Sequence, residues 1–203
     1  MNFDENEIFW MNDFGDKYTD RNNDIELLKN KKFFFTKILN KINISNIFEI
    51  GCNRGLNLLA LKEINNEIKL NGLEINKKAY DIIKEKNICE NLFNESIYNF
   101  NSNQTYDLVF TVGVLIHLNP DKLDSIYETM FNLSSKYILI AEYYSRNMTE
   151  IKYRNNDNKL FKRDFCGELM DKYKQLKLID YGFIYYRDPL YPLDDITWFL
   201  LEK

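Results

Sequence analysis

Apolar positions along the chain follow two alternating rhythms. Some runs are short and nearly continuous, such as Tyr106–Thr111 (YDLVFT) and Tyr137–Glu142 (YILIAE). Others repeat an apolar residue every three or four positions, as Leu58, Leu59, Leu61 and Ile64 do within Leu56–Asn65. The first rhythm predicts buried strands and the second predicts helices with one buried face. Strands are therefore expected at Ile44–Ile50, Ile68–Ile75, Tyr106–Thr111 and Tyr137–Glu142, with a short one near Ile88–Phe93. Two late strands are expected at Leu176–Tyr186 and Ile196–Glu202, with no helix between them. Helices are expected at Leu56–Asn65, at Lys77–Lys86 (carrying Ala79, Ile82 and Ile83) and at Arg163–Tyr173. Another is expected over Asn119–Leu133, where Asn-Pro-Asp supplies a cap and first turn. Before the first strand lie a short helix at Glu7–Asp13 and a long amphipathic one at Ile25–Leu39.

Repeated strand–helix units imply a parallel sheet with helices on both faces. The final two strands, joined by the Arg187–Pro192 loop, are expected to pair antiparallel. The expected class is α/β: a doubly wound, mostly parallel, Rossmann-like sheet of seven strands ending in a β-hairpin. Residues 1–203 read as one domain. Within it, 44–203 form the core and 1–43 a helical cap, either beside the sheet or over its ligand edge.

Composition narrows the function. Apolar residues make up 45% of the 203, enough for a sizeable core. The formal net charge of −4 argues against a nucleic-acid binder, which carries a basic footprint. Cys52, Cys89 and Cys166 lack CxxC spacing and read as reduced thiols, with no metal site expected. The acidic start MNFDENE fits no export signal, and no apolar run reaches the roughly 18 residues of a membrane span. The expectation is a cytoplasmic protein without membrane or nucleic-acid partners. Asparagine is abundant but interleaved with regular apolar periodicity, so it does not mark a low-complexity tract.

The chemistry starts where the first strand ends, at Glu49-Ile50-Gly51-Cys52-Asn53-Arg54-Gly55. In open α/β sheets, ligands bind at the carboxyl ends of strands. A glycine turn there lets backbone approach a ligand, and the next helix offers free N–H groups. Dinucleotides require GxGxxG, which is absent, and no GxxxxGK[ST] phosphate loop is present. An acid before the first glycine suits a ligand with an ammonium group, such as S-adenosylmethionine. Glu74 ends the second strand about 20 residues later, the separation expected for a carboxylate that holds a ribose diol. A nicotinamide dinucleotide would use Glu74 equally well; the missing middle glycine and the presence of Glu49 favour the sulfonium cofactor.

Thr111–Leu118 (TVGVLIHL) follows the fourth strand and carries the chain's one histidine, His117. A neutral imidazole is a natural general base for a hydroxyl or amine acceptor. The alternative is a histidine that only packs beside the ligand, and the sequence leaves both open. Glu142, at the end of the fifth strand, is a second candidate base. The turn after the fourth strand lacks the Asn/Asp-Pro-Pro-aromatic sequence that nucleic-acid amino methylation requires. Beyond Glu142, the segment 146–163 holds six basic residues: Arg146, Lys152, Arg154, Lys159, Lys162 and Arg163. Only Glu150 and Asp157 oppose them. Arginine forks match carboxylates and phosphates, so an anionic small molecule is expected under this loop. Tyr143, Tyr144, Tyr153 and Tyr181 are candidate walls for a sugar or base.

Longer blocks add a resemblance. EIGCNRGLNLLALK, LEIN, YDLVFTVGVLIHLNPDKL, YILIAEYY, LFKRDFCGEL, DDITWFLLEK and the N-terminal FGDKYTDRN resemble the pseudaminic acid biosynthesis-associated methylases. That family belongs to the class I methyltransferases that use S-adenosylmethionine. The resemblance implies methylation, on oxygen or nitrogen, of a nonulosonic acid or its nucleotide-activated form. It implies a cofactor site of Glu49, Gly51, Asn53 and Gly55 at the turn and Glu74 on the ribose. Ile75, Ser96 and Ile97 would lie about the adenine, with Val112 and Leu115 along the methionine. Tyr18, Arg21 and Asn22 would come from the cap. The substrate residues expected are Asn22, Tyr143, Tyr144, Arg154, Lys162 and Arg163. The chain departs from the family pattern at Glu95, at Asn155-Asn156 and across Ser145–Glu150, so the acceptor is less defined than the cofactor. Two other readings remain: an NAD(P)-dependent reductase, against which the lack of a Tyr-x-x-x-Lys pair counts, and a non-catalytic S-adenosylmethionine-binding protein. The number of associating chains is not legible.

Overall fold

The computed structural model of the protein describes residues 3–21 and 25–203. Its centre is a seven-stranded sheet in the order β3-β2-β1-β4-β5-β9-β8. The strands are β1 (Asn46–Ile50), β2 (Lys69–Leu73), β3 (Asn91–Phe93), β4 (Tyr106–Val112) and β5 (Ser134–Glu142), followed by β8 (Lys177–Ile184) and β9 (Ile196–Glu202). The first five run parallel, while β9 pairs antiparallel to both β5 and β8. This is the expected mixed sheet with its terminal hairpin. The chain returns from β3 across the sheet to β4, so strand order reverses between β1 and β4. Ligands of open α/β sheets bind at such a point.

Helices cover both faces. On one, α6 (Leu123–Leu133) and α7 (Phe165–Lys172) bury Ile126, Met130, Phe165 and Leu169 against Val109 and Ile138. On the other, α3 (Ile25–Leu39), α4 (Leu56–Ile64) and α5 (Lys77–Lys86) bury Phe35, Ile38, Leu58, Leu61 and Ile83 against Ile47, Leu108 and Leu139. Strands buried on both sides read as continuous apolar runs, which is why β4 and β5 stand out in the sequence. Among the described residues, no helix is long and apolar enough to cross a membrane.

The cap departs from expectation. In place of one short helix at Glu7–Asp13 there are two, α1 (Glu5–Met11) and α2 (Asp13–Arg21). A capping box starts α1 two residues early. The Asp4 carboxylate accepts from the Asn6 and Glu7 N–H groups at 3.0 and 2.9 Å, and Glu7 Oε2 accepts from the Asp4 N–H at 2.8 Å. In α2 the buried residues are Gly15 and Thr19, so it carries little periodic signal. Tertiary contact holds it instead: a Cβ at Gly15 would sit 1.8 Å from the Trp10 carbonyl oxygen. The basic segment holds a second difference, a two-stranded hairpin of β6 (Thr149–Glu150) and β7 (Phe161–Lys162). Pairs that short leave no periodicity to detect.

A cleft at the switch point

Register brings the candidate residues to one edge. Ile50 lies beside Leu73 on one side and Thr111 on the other, so the chain leaves β1, β2 and β4 at the same level. The turn after β1 is strongly left-handed, with Gly51 at φ 70°, Asn53 at 43° and Gly55 at 76°. Gly51 and Cys52 donate backbone N–H bonds to the Leu73 carbonyl at 2.8 and 3.1 Å, which clamps the turn onto β2. Gly51 is doubly required: beside its positive φ, a Cβ there would meet Val114 Cγ2 at 2.6 Å.

Two buried carboxylates flank this turn. Glu74 Oε2 accepts from the Asn53 N–H at 2.6 Å, and Oε1 accepts from the Asn76 N–H at 2.7 Å. Burial pushes its pKa up to about 7, against the pull of those N–H groups. Glu49 is buried beneath the turn. Its Oε1 accepts from Asn57 Nδ2 at 2.5 Å, while Oε2 is enclosed with no hydrogen-bond partner. Burial raises Glu49 to about 8, with the Asn57 bond and the Lys31 charge opposing. A cleft of about 690 Å³ opens over the turn, a size that suits a nucleoside-like ligand.

The structure brings most of the predicted site residues to that cleft. Gly51, Asn53, Glu74, Ile75, Ser96, Ile97 and Val112 line it, with Tyr18, His117, Tyr143 and Arg154 around its outer part. Glu49 and Gly55 support the turn from behind, and Gly55 stands 3.1 Å, by its would-be Cβ, from Ile83 Cγ1. Others lie elsewhere. Leu115 is fully buried in the core with α6 and α7. Arg21 is exposed and sits 5.7 Å from the Phe14 and Tyr18 rings. Asn22 lies outside the described residues.

The two candidate bases differ sharply. His117 sits in a one-turn 3₁₀ helix after β4 and lines the cleft. Its Nδ1 lies 2.7 Å from the Lys159 carbonyl, an acceptor, so Nδ1 carries the proton and Nε2 the lone pair. The ring rests between Trp10 and Tyr153, with centroids at 4.6 and 4.8 Å. Burial pushes its pKa down to about 4, so it is neutral near pH 7. Glu142 is outside the cleft lining. Its Oε1 accepts from the N–H groups of Val114 and Leu115 at 3.0 and 3.1 Å, and Oε2 from Ile116 at 3.4 Å. It pins the turn that presents His117, and burial raises it to about 7.

Most of the basic segment is paired. Arg163 Nε donates to Glu168 at 2.7 Å, Lys159 Nζ to Asn6 Oδ1 at 2.7 Å, and Lys152 pairs with Asp157 at 3.5 Å. Lys162 lies 5.4 Å over the Tyr143 ring, and the exposed Tyr144 is bridged to Arg163. Arg154 is the one of the six that lines the cleft, from the tip of a tight turn closed by Tyr153 and Asn156. Arg154 and Asn155 both have positive φ there, 47° and 68°, as the primed turns require.

Several lining residues were not singled out from the sequence: Asn6, Glu7 and Trp10 on α1, Lys31 on α3, Asn57 on α4, and Asp194 before β9. The Asp4-x-x-Glu7 spacing of a capping box was available in the sequence and would have placed the start of α1 at Glu5 rather than Glu7. Nothing in the sequence showed that its inner face would roof a cleft. Asn57 was legible in principle, because a helix opening just after a glycine turn aims its first-turn side chains at the ligand edge.

No protein-family model matches the chain, and no curated protein matches it. Solved structures do. Magnesium protoporphyrin IX methyltransferase from Synechocystis, with bound S-adenosylmethionine, matches with a TM-score of 0.74 at 12% identity, covering 100% of this chain and 98% of that one. The plantazolicin methyltransferase BpumL, in complex with S-adenosylhomocysteine, matches with a TM-score of 0.65 at 15% identity, covering 98% and 93%. An S-adenosylmethionine-dependent methyltransferase from Clostridium acetobutylicum matches with a TM-score of 0.63 at 12% identity, covering 92% and 95%. These likenesses show the fold: the chain has the Rossmann-like architecture of class I methyltransferases.

Proposed function

We propose that the protein is an S-adenosylmethionine-dependent methyltransferase whose acceptor is a small anionic sugar, a nonulosonic acid or its nucleotide-activated form. The observation that carries the cofactor reading is the pair Glu49 and Glu74, both buried, on either side of a left-handed glycine turn at the strand-order switch. The fit is tested by Glu49 Oε2, a buried carboxylate oxygen without a donor, of the kind an ammonium group satisfies. Glu74 would hold the ribose diol. Ile75, Ser96 and Ile97 would bound the adenine, and Val112 the methionine chain. When bound, the cofactor supplies a methyl carbon already activated by a sulfonium.

The chain's own residues must align the acceptor and exclude water. Trp10, Tyr18 and Tyr153 roof the outer cleft. Thr19 ties that roof to the turn, its Oγ1 accepting from Asn53 Nδ2 at 3.1 Å and its carbonyl from Arg54 Nη1 at 2.9 Å. His117 lines this space, and its Nε2, which carries the ring's lone pair, would take the acceptor's proton. Glu142 would hold the imidazole's turn in place. Arg154 at the cleft supports an acidic acceptor, as does the sequence resemblance.

The test is incubation with methyl-labelled S-adenosylmethionine and a panel of free nonulosonic acids, their cytidine monophosphate esters and neutral hexoses, read by mass spectrometry. Label on an acidic sugar is expected. Label on none of them, with S-adenosylmethionine bound, would leave a binding protein. Binding of NADH in place of S-adenosylmethionine would favour the reductase.

A further inference from the structure

Two polar atoms of α1 are unmet, and both belong to residues that line the cleft. Glu7 is 6% exposed; its Oε2 closes the capping box, and its Oε1 is enclosed with no hydrogen-bond partner among the described residues. Trp10 stands three positions on, on the same side of the helix, and its indole Nε1 is enclosed with no acceptor among them. Loose seating of α1 does not explain the deficit, because the helix is fastened at both ends. Asn6 Nδ2 donates to the His117 carbonyl at 3.1 Å, and Asn6 Oδ1 accepts from Lys159 Nζ at 2.7 Å. Lys122 pairs with Asp4 at 2.9 Å, and Asn76 Nδ2 donates to the Trp10 carbonyl at 3.1 Å.

An enclosed carboxylate oxygen without a donor is costly, and so is an enclosed N–H without an acceptor. Native proteins leave few such groups, and here two fall within one turn of one helix at one cleft. Together they ask for a group that gives one hydrogen and offers one lone pair. Adjacent hydroxyls do so, and so does an acylamino group, whose N–H and C=O are fixed side by side. A carboxylate does not, because Glu7 would repel it; the acid end of an acceptor belongs with Arg154, which lines the cleft from the basic segment. The pair also stands at the reacting end. The Trp10 ring lies 4.6 Å from the His117 ring and 6.3 Å from that of Tyr153, centroid to centroid.

We propose that Glu7 and Trp10 bind the methyl acceptor, through a hydroxyl pair or an acylamino group next to the atom that is methylated. This rests on the methyltransferase reading above and deepens it. The acceptor gains a fixed orientation: its acid at Arg154, its neutral polar group under α1 and its nucleophile at His117. An acid without such a neutral group is then a poor acceptor, even though Arg154 would still attract it.

Two conservative variants test it, by methyl-transfer kinetics on the acids that take the label and by calorimetry with S-adenosylhomocysteine. Glu7→Gln keeps an oxygen for the Asp4 N–H and so keeps the capping box, but sets an amide NH₂ where Oε1 stood. Trp10→Phe keeps an aromatic ring against His117 and removes the N–H. Glu7→Gln should raise KM for the acceptor about 10- to 100-fold and Trp10→Phe about three- to tenfold, the worth of a charged and a neutral hydrogen bond. Both should bind S-adenosylhomocysteine within about twofold of wild type, which also reports that they are folded. The chain has two tryptophans, Trp10 and Trp198, so two indole N–H signals are expected in a ¹⁵N spectrum, and Trp10→Phe assigns them. Adding the acceptor to the S-adenosylhomocysteine complex should move the Trp10 signal and leave that of Trp198. N-Acetylneuraminic acid and its analogue with hydroxyl in place of acetamido separate the two groups: a Glu7→Gln effect on both acids points to the hydroxyl pair, and an effect on the first alone to the acylamino group. An unchanged KM in both variants, an unmoved Trp10 signal, or an equal loss of S-adenosylhomocysteine affinity would overturn the role of the pair and leave the methyltransferase reading intact. Label on no acid, with S-adenosylhomocysteine bound, would overturn the acceptor reading and this inference together.

Discussion

Glu74 offers a measurement that needs no substrate. Burial raises its carboxyl from the ordinary 4.5 to about 7 in the folded protein. At about 1.36 kcal/mol per pH unit, ionised Glu74 costs the fold about 3 kcal/mol at pH 8. The folded pKa is the higher one, so the folded state binds the extra proton. Stability from this group is therefore complete below about 4.5 and lost as pH rises through about 7. In Glu74→Gln the dependence disappears, although one of the Asn53 and Asn76 N–H groups then faces an amide NH₂. That mismatch costs about 1 kcal/mol at every pH and so does not mimic the effect. Urea unfolding at about pH 5 and about pH 8 should show the wild type losing roughly 2 kcal/mol more than Glu74→Gln over that interval. Donors from a ribose diol favour the ionised form, so S-adenosylhomocysteine should bind more tightly as pH rises towards 7 and then level off. An identical pH dependence in the two proteins would refute the reasoning, because it would mean that Glu74 is solvated rather than enclosed.

Three further outcomes follow from the same geometry. Gly51→Ala forces a left-handed alanine whose methyl meets Val114 Cγ2 at 2.6 Å, so it should cost about 2 kcal/mol or more in thermal or urea unfolding and abolish S-adenosylhomocysteine binding in calorimetry. His117→Gln should lower the methyl-transfer turnover number about 10²- to 10⁴-fold with cofactor affinity unchanged. Because burial holds His117 near 4, an inflection near 6.5 present in the wild-type turnover number at saturating cofactor and absent from His117→Gln would contradict its enclosed state. Arg154→Ala should raise KM for an acidic acceptor about tenfold and leave the turnover number within about twofold.

The sheet was legible because β4 and the second half of β5 are buried on both faces and read as continuous apolar runs. Ile196–Glu202 and Ile25–Leu39 match the observed limits of β9 and α3. The turn was legible because Gly51 and Gly55 stand where only a left-handed backbone fits, with an acid before them and another at the end of β2. The roof was not. α2 is held by a glycine that lets it approach Trp10 and by Thr19 bonded to the turn, and neither leaves a periodic trace. Lys31 was hidden for a different reason. On a helix surface a lysine reads as solvated, and only the fold reveals that its ammonium faces Asn57 and a cleft. Charge counting did not show how the basic segment is partnered: Lys152 and Arg163 pair with acids five residues on, and Lys159 reaches Asn6 on α1, a contact only the fold brings about.

A crystal structure with S-adenosylhomocysteine would test the central claim most directly. The account predicts adenosyl density over the Gly51–Gly55 turn, with both ribose hydroxyls on the Glu74 carboxylate and the amine beside Glu49. A ligand seated elsewhere, or one in this cleft whose ribose makes no contact with Glu74, would contradict it.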